Sequence, residues 1–135
     1  MTLKISFAIL IIYVLAALNI SCKENKKEQN NGITQIEWKN KFWDFGELQE
    51  GEEVCHTFYF TNTGKQSLII KKVETGCGCT TVTYDKAPVL PGKEGKIEIA
   101  FNSRGRYGKQ YKEISIFANI PKKISKLSIS GNIKY

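Results

Sequence analysis

In the stretch GKIEIAF, Gly95 to Phe101, apolar and polar residues alternate: Ile97, Ile99 and Phe101 against Lys96, Glu98 and Ala100. Successive side chains of a strand point to opposite faces, so a period of two marks a strand with one face buried. The pattern returns in VCHTFYFTNTG, with Val54, His56, Phe58 and Phe60 on one face and Cys55, Thr57, Tyr59 and Thr61 on the other. KEISIFAN places Ile114, Ile116 and Ala118 together, and KLSISGNI does the same for Leu127, Ile129 and Ile133, with Gly131 expected as a bulge. SLIIKKV, Ser67 to Val73, reads as a further, less cleanly alternating strand. Turn signals separate these runs: EGEE, NTGK with Asn62 in the turn, LPGKEG and SRGRYG. IEWKNKFWDFGEL adds one or two strands, and its Trp38, Phe42, Trp43 and Phe45 are expected as core residues. No stretch after Gly32 carries a helical period. The pattern predicts an all-β, immunoglobulin-like β-sandwich of about seven strands.

The chain opens MTLKISFAILIIYVLAALNISC, with Lys4 ahead of an apolar run from Ile5 to Ile20. That run is shorter than the ~20 residues of a membrane-spanning helix and reads as a secretory signal peptide. LNISC, Leu18 to Cys22, resembles the lipobox of bacterial lipoproteins, in which a small residue precedes the cysteine that is lipidated. Asn19 stands where that motif usually has leucine. The expected organisation is a lipoprotein signal peptide over 1–21, a lipidated flexible tether over 22–33 beginning at Cys22, and the sandwich domain over 34–135. KENKKEQNNG, Lys23 to Gly32, has no apolar residue with which to offset the entropy of ordering. Lys23, rather than an aspartate, follows the cysteine, which points to the outer membrane of the cell envelope.

Lysine and arginine number 20 against 13 acidic residues, a formal charge of +7; loss of Lys4 with the signal leaves +6. The lysines are scattered, from Lys65 to Lys126, without the compact block and interleaved aromatics of a nucleic-acid groove. A solvated surface is expected, and no nucleic acid partner.

WDFGEL (Trp43–Leu48), EGEEVCHTFYFTNTGKQSLIIKKVETGCGCTT, LPGKEGKIEIAFNSRGRYGKQYKEISIFAN and LSISGNI, taken in that order, resemble domain of unknown function family 1573. The resemblance covers roughly Trp43 to Ile133, and its most specific element is the CGCT core after the FTNTG strand end. It implies an immunoglobulin-like module of the major-sperm-protein type, often met as a small lipoprotein in Bacteroidetes-type bacteria. It implies no reaction, cofactor or catalytic residue. Cys55 stands where the family more often carries serine or another small polar residue.

With Cys22 lipidated, the thiols are Cys55, Cys77 and Cys79, and His56 is the one imidazole in the chain. A closed zinc site needs four ligands, and Cys55 and His56, adjacent on a strand, point to opposite faces. No metal or other cofactor is therefore expected. Cys77, Cys79 and Cys55 form the candidate structural or thiol site and admit several roles: Cys77 and Cys79 as small apolar groups packed at the sandwich edge; a disulfide between them if Gly78 bends the chain, or from Cys55 to either if the strands are adjacent; or thiol chemistry such as redox exchange or copper(I) binding by Cys77 and Cys79, alone or with Cys55. Packing is the favoured expectation. Ser67, Ser103 and Ser115 lack a nucleophile-elbow setting, Asp44 and Asp85 are single acids near turns, and Arg104 and Arg106 flank Gly105 in a solvated turn. His56, on the face of Phe58 and Phe60, reads as a satisfied core-edge histidine. The function expected is a non-enzymatic binding or scaffolding module, lipid-anchored in the envelope, whose partner is an envelope protein or glycan. The alternative is a thiol protein built on Cys77 and Cys79.

Overall fold

The alternating runs form the strands they predict. The computed structural model describes residues 32–135. The expected signal peptide and, apart from Gly32 and Ile33, the expected tether lie outside the described residues. Eight strands follow in order: β1 (Ile36–Trp38), β2 (Phe42–Gln49), β3 (Glu53–Asn62), β4 (Ile70–Thr75), β5 (Thr80–Tyr84), β6 (Glu94–Asn102), β7 (Gly108–Ala118) and β8 (Ile124–Lys134). They build two four-stranded sheets, β1-β3-β6-β5 and β2-β8-β7-β4. All pairs are antiparallel except β2 with β8, which run parallel. IEWKNKFWDFGEL supplies two of the expected seven strands, β1 joining one sheet and β2 the other, and the eighth is β5, Thr80–Tyr84, which none of the runs read in the sequence covers.

The core lies between the sheets. Phe58, Phe60, Ile97, Ile99 and Phe101 face Ile114, Ile116, Leu127, Ile129 and Ile133, all buried. Burial of apolar area of this kind, worth roughly 25 cal/mol per Å², is the main force holding the layers together. Trp38 is buried as expected, and its indole N–H donates 3.0 Å to Ser125 Oγ on the opposite sheet. Phe45 is half-buried against the core. Phe42 and Trp43, by contrast, are 51% and 40% exposed, which corrects the expectation that they are core residues. β2 is an edge strand; Phe42 pairs with half-buried Ser128, while Trp43 pairs with buried Ile129 and so faces inward. Across from Trp43 stands His56 on β3, and β1, only three residues long and paired with β3 only from Phe60 to Asn62, does not reach beside it to cover the edge.

The SLIIKKV strand is shorter than its sequence suggests. Its ladder begins at Ile70, while Leu68 forms an isolated bridge to Val89. The bulge expected at Gly131 sits instead in the neighbouring strand. Gln110 pairs with Gly131 in an unbroken β7–β8 ladder, whereas β2 shifts register between Asp44 and Glu47. Gly46, at φ 72°, supplies the left-handed residue the bulge needs. Gly131 leaves room for it, since a Cβ there would press on Leu48 Cδ1 at 3.3 Å.

Two buried asparagines fasten the loops to the sandwich. Asn62 Oδ1 accepts from Thr34 Oγ1 (2.8 Å) and from Gly64 N, and its Nδ2 donates to Gln66 O and Val89 O. Asn119 Oδ1 accepts from Ile69 N, and its Nδ2 donates to Ser67 O and Gly32 O. Asn62 keeps the turn role read for it, its Oδ1 accepting from Gly64 N two residues on, but it also closes β3 and is fully buried, with every polar atom of its amide satisfied.

Candidate functional site

β4 ends at Thr75 in one sheet and β5 begins at Thr80 in the other, so Gly76 to Cys79 form the crossing. Thr80 N donates to Cys77 O at 3.4 Å, which curls the crossing into a turn. Thr75 Oγ1 donates to Cys77 O at 3.3 Å, and Asn102 N donates to Cys79 O at 2.9 Å, fixing the turn to the end of β6. The curl brings the Cα atoms of Cys77 and Cys79 to 5.3 Å, and the two sulfurs are bonded in a disulfide. This corrects the expectation of two separately packed thiols, because Gly78 lets the chain turn instead of running extended.

Cys79 is buried within the core cluster, while Cys77 is half-buried and packs against it. Thr80 Oγ1 lies 3.8 Å from each sulfur. A Cβ added at Gly76 or Gly78 would meet nothing within 4 Å, so the outer side of the turn is open. Beside it lies a cleft of about 430 Å³ whose lining includes Glu74, Cys77, Tyr111, Lys112 and Glu113. The disulfide closes a loop of three residues, and a constraint that short is worth only about 1.5 kcal/mol on chain-entropy grounds.

Cys55 is free and exposed, and it is not brought to this turn. It pairs with Ala100 on β6, and Ala100 pairs in turn with Thr81 on β5. Two strand spacings, about 10 Å, therefore separate Cys55 from β5. Among the described residues no group of three or more histidine, cysteine or acidic side chains is close enough to hold a metal.

The polar residues weighed in the sequence take other places. Ser103 is buried and donates to Gln49 O. The amide of Gly105, between Arg104 and Arg106, donates 2.7 Å to the Glu50 carboxylate, and Arg106 Nη1 turns back onto Arg104 O. His56 is at the core edge but not satisfied: its Nε2 is buried without a hydrogen-bond partner. Burial pushes the His56 imidazole below its ordinary value.

A second cleft, about 420 Å³, lies on the outer face of β2, β7 and β8, lined among others by Asp44, Lys109, Tyr111, Ser130 and Asn132. Asp44 accepts from Gly46 N at 3.1 Å and from Ser130 Oγ at 2.8 Å. These two bonds, the backbone one first, hold its carboxyl below the usual range. Tyr111 is 62% exposed and lines both clefts. In the sequence Tyr111 carries no mark of a site, and Asp44 reads as a single acid near a turn. The outward phase of Tyr111 on β7, odd-numbered with Lys109 and Glu113, was the one available signal.

Residues 36–133 match the family described as protein of unknown function, DUF1573. The chain belongs to this family. No curated protein matches it. In fold the DUF1573 domain is similar to a protein of unknown function from Porphyromonas gingivalis W83, at TM-score 0.66 and 21% identity over 76% of this chain and 48% of that one. It is also similar to the PapD-like domain 7 of human CEP192, at TM-score 0.62 and 13% identity over 76% of this chain and 87% of that domain. The Vibrio cholerae VesB protease gives TM-score 0.56 and 12% identity over 81% of this chain and 32% of that one. The chain thus spans about half the length of the Porphyromonas protein and about a third of the Vibrio one. At these identities the likeness is one of fold, and it agrees with the immunoglobulin-like architecture.

Proposed function

We propose that this DUF1573 protein is a lipid-anchored, non-catalytic binding module of the bacterial cell envelope. The Cys22 lipid holds it to the outer membrane, and the outer face of β2, β7 and β8 receives an envelope protein or glycan. The observation that carries this reading is Tyr111, a largely exposed aromatic ring between two clefts of about 420 and 430 Å³. An exposed tyrosine gives a rigid contact surface at small entropic cost, and fixed polar groups beside it supply direction. Here Asp44 and Ser130 are already locked to each other at 2.8 Å.

Full-length protein crosslinked in intact cells tests the reading. The wild type is expected to capture a defined envelope component, and Tyr111→Ala to lose it while keeping the wild-type melting temperature. Equal capture by both proteins sinks the assignment to this face. Cys22→Ala is expected to release the protein from membranes or leave it unprocessed; unchanged attachment with a cleaved N-terminus sinks the anchor.

A further inference from the structure

We propose that the Cys77–Cys79 bond is a thiol–disulfide exchange site that accepts electrons from a dithiol while the domain stays folded. The proposal is independent of the binding role assigned to the face around Tyr111.

The geometry favours attack at one sulfur. Cys77 is half-buried beside an open cleft, whereas Cys79 is 7% exposed and belongs to the core cluster. The glycines on either side of Cys77 carry no side chains, and space beyond their Cα atoms is free. An incoming thiolate therefore meets Cys77 Sγ first, and Cys79 is the leaving group. Lys112 lines the same cleft, a cation suited to attract a thiolate, beside Glu74 and Glu113, whose carboxylates are each paired with a lysine, Lys72 and Lys126. Thr80 Oγ1, 3.8 Å from both sulfurs, is placed to donate a hydrogen bond to whichever sulfur carries the negative charge.

The turn is held by bonds other than the disulfide: Thr80 N to Cys77 O, Thr75 Oγ1 to Cys77 O, and Asn102 N to Cys79 O. These survive reduction and keep the two thiols close enough to bond again. The three-residue loop gives the disulfide little share in global stability. Cys55, on the far side of β6, does not compete for either sulfur.

The exchange balances in two steps. One thiolate of the dithiol attacks Cys77 Sγ; the Cys77–Cys79 bond breaks, and its electron pair leaves on Cys79 Sγ, which takes up a proton. The second thiolate of the dithiol then attacks its own sulfur in the mixed disulfide, forming the partner's disulfide and releasing Cys77 as a thiolate that is protonated. The pair gains two electrons and two protons, and the partner loses the same. In reverse, the reduced pair reduces a disulfide.

The test uses the full-length protein in detergent micelles below its melting temperature. Dithiothreitol serves as a small dithiol and reduced thioredoxin as a protein dithiol. Alkylation followed by peptide mass mapping reads Cys77 and Cys79 separately from every other cysteine. Reduction is expected to proceed at least about tenfold faster than global unfolding, with the melting transition retained. Reduction by both reagents supports a site open to proteins; reduction by dithiothreitol alone supports exchange with small dithiols. Reduction only as fast as unfolding overturns the proposal. Two further variants fix the order of attack. With oxidised glutathione, the free Cys77 of Cys79→Ala is expected to form a mixed disulfide about tenfold faster than the free Cys79 of Cys77→Ala. Equal rates overturn the assignment of Cys77 as the sulfur attacked. Thr80→Val, which keeps the shape, is expected to slow reduction severalfold with the melting temperature little changed, and an unaltered rate removes Thr80 from the mechanism.

Discussion

The indole of Trp43 lies flat on the imidazole of His56, ring centroids 4.0 Å apart and planes 9° from parallel, although the two residues belong to different sheets. Phe58 meets the same imidazole edge-on at 4.6 Å. The half-buried ring is thus covered on one face by the indole and flanked by Phe58, and its buried Nε2 has no partner. A protonated ring would have to bury an N–H without an acceptor, which is why the neutral form is favoured in the folded state.

A pH dependence follows from that burial. The folded-state pKa lies below the unfolded value of about 6.5. Between the two values the unfolded chain binds more protons, so stability rises with pH in this window. It is complete above about pH 6.5 and declines as pH falls through that value, levelling off below the folded pKa. Since His56 is the one histidine, His56→Leu should flatten the melting temperature between about pH 5.5 and 7.5. A slope that persists in the variant would place its origin elsewhere.

Asn62 offers a sharper stability test. Its removal leaves Gln66 O, Gly64 N and the Thr34 hydroxyl without their partner, while Val89 O keeps its bond from Leu68 N. Each buried polar group left unpaired costs about 1–3 kcal/mol. Asn62→Ala is expected to lose at least about 3 kcal/mol in urea unfolding, while Lys96→Ala on the outer face loses under about 0.5 kcal/mol. Similar losses would contradict the role of Asn62 as the tie between these loops.

These residues also mark how far the sequence is legible. Ile97, Ile99 and Phe101 show their burial through period two alone, because the pattern is local and the strand is central in its sheet. Phe42 and Trp43 carry equally apolar side chains, but Phe42 stands on the outer face of the edge strand β2, and the exposure of inward-facing Trp43 depends on the shortness of β1, a fact about a different strand. Asn62 stands in Asn-Thr-Gly, a turn signal; its burial is decided by Thr34, Gln66 and Val89, which the chain brings back from up to 28 residues away. Gly78 showed that Cys77 and Cys79 had room to approach. Spacing alone did not say that they bond, because an extended strand and a tight turn use the same three residues.

Gly95 pairs with Phe60 across β3 and β6, and the phenyl ring lies over its Cα. A methyl group there would fall inside the contact distance of the ring. Gly95→Ala should therefore cost about 1–3 kcal/mol through overpacking, and Phe60→Ala about 3–5 kcal/mol through the cavity it leaves. The double variant should lose less than the sum, because the methyl enters the space the ring vacates. Strict additivity in urea melts would show that the ring does not sit over the glycine.

The last prediction separates structure from chemistry at the disulfide. If the Cys77–Cys79 bond matters chiefly as a staple, Cys77→Ala with Cys79→Ala should approach the loss seen for Phe60→Ala. The three-residue loop argues otherwise: the constraint is worth about 1.5 kcal/mol, and the remaining turn keeps its hydrogen bonds from Thr75, Thr80 and Asn102. The double variant is expected to lose about 2 kcal/mol or less, allowing for the small packing contribution of buried Cys79. Dithiothreitol should shift the wild type by no more than this and leave the double variant unmoved. A loss of 3 kcal/mol or more on reduction, on the order of a large core truncation, would make the bond a structural element first.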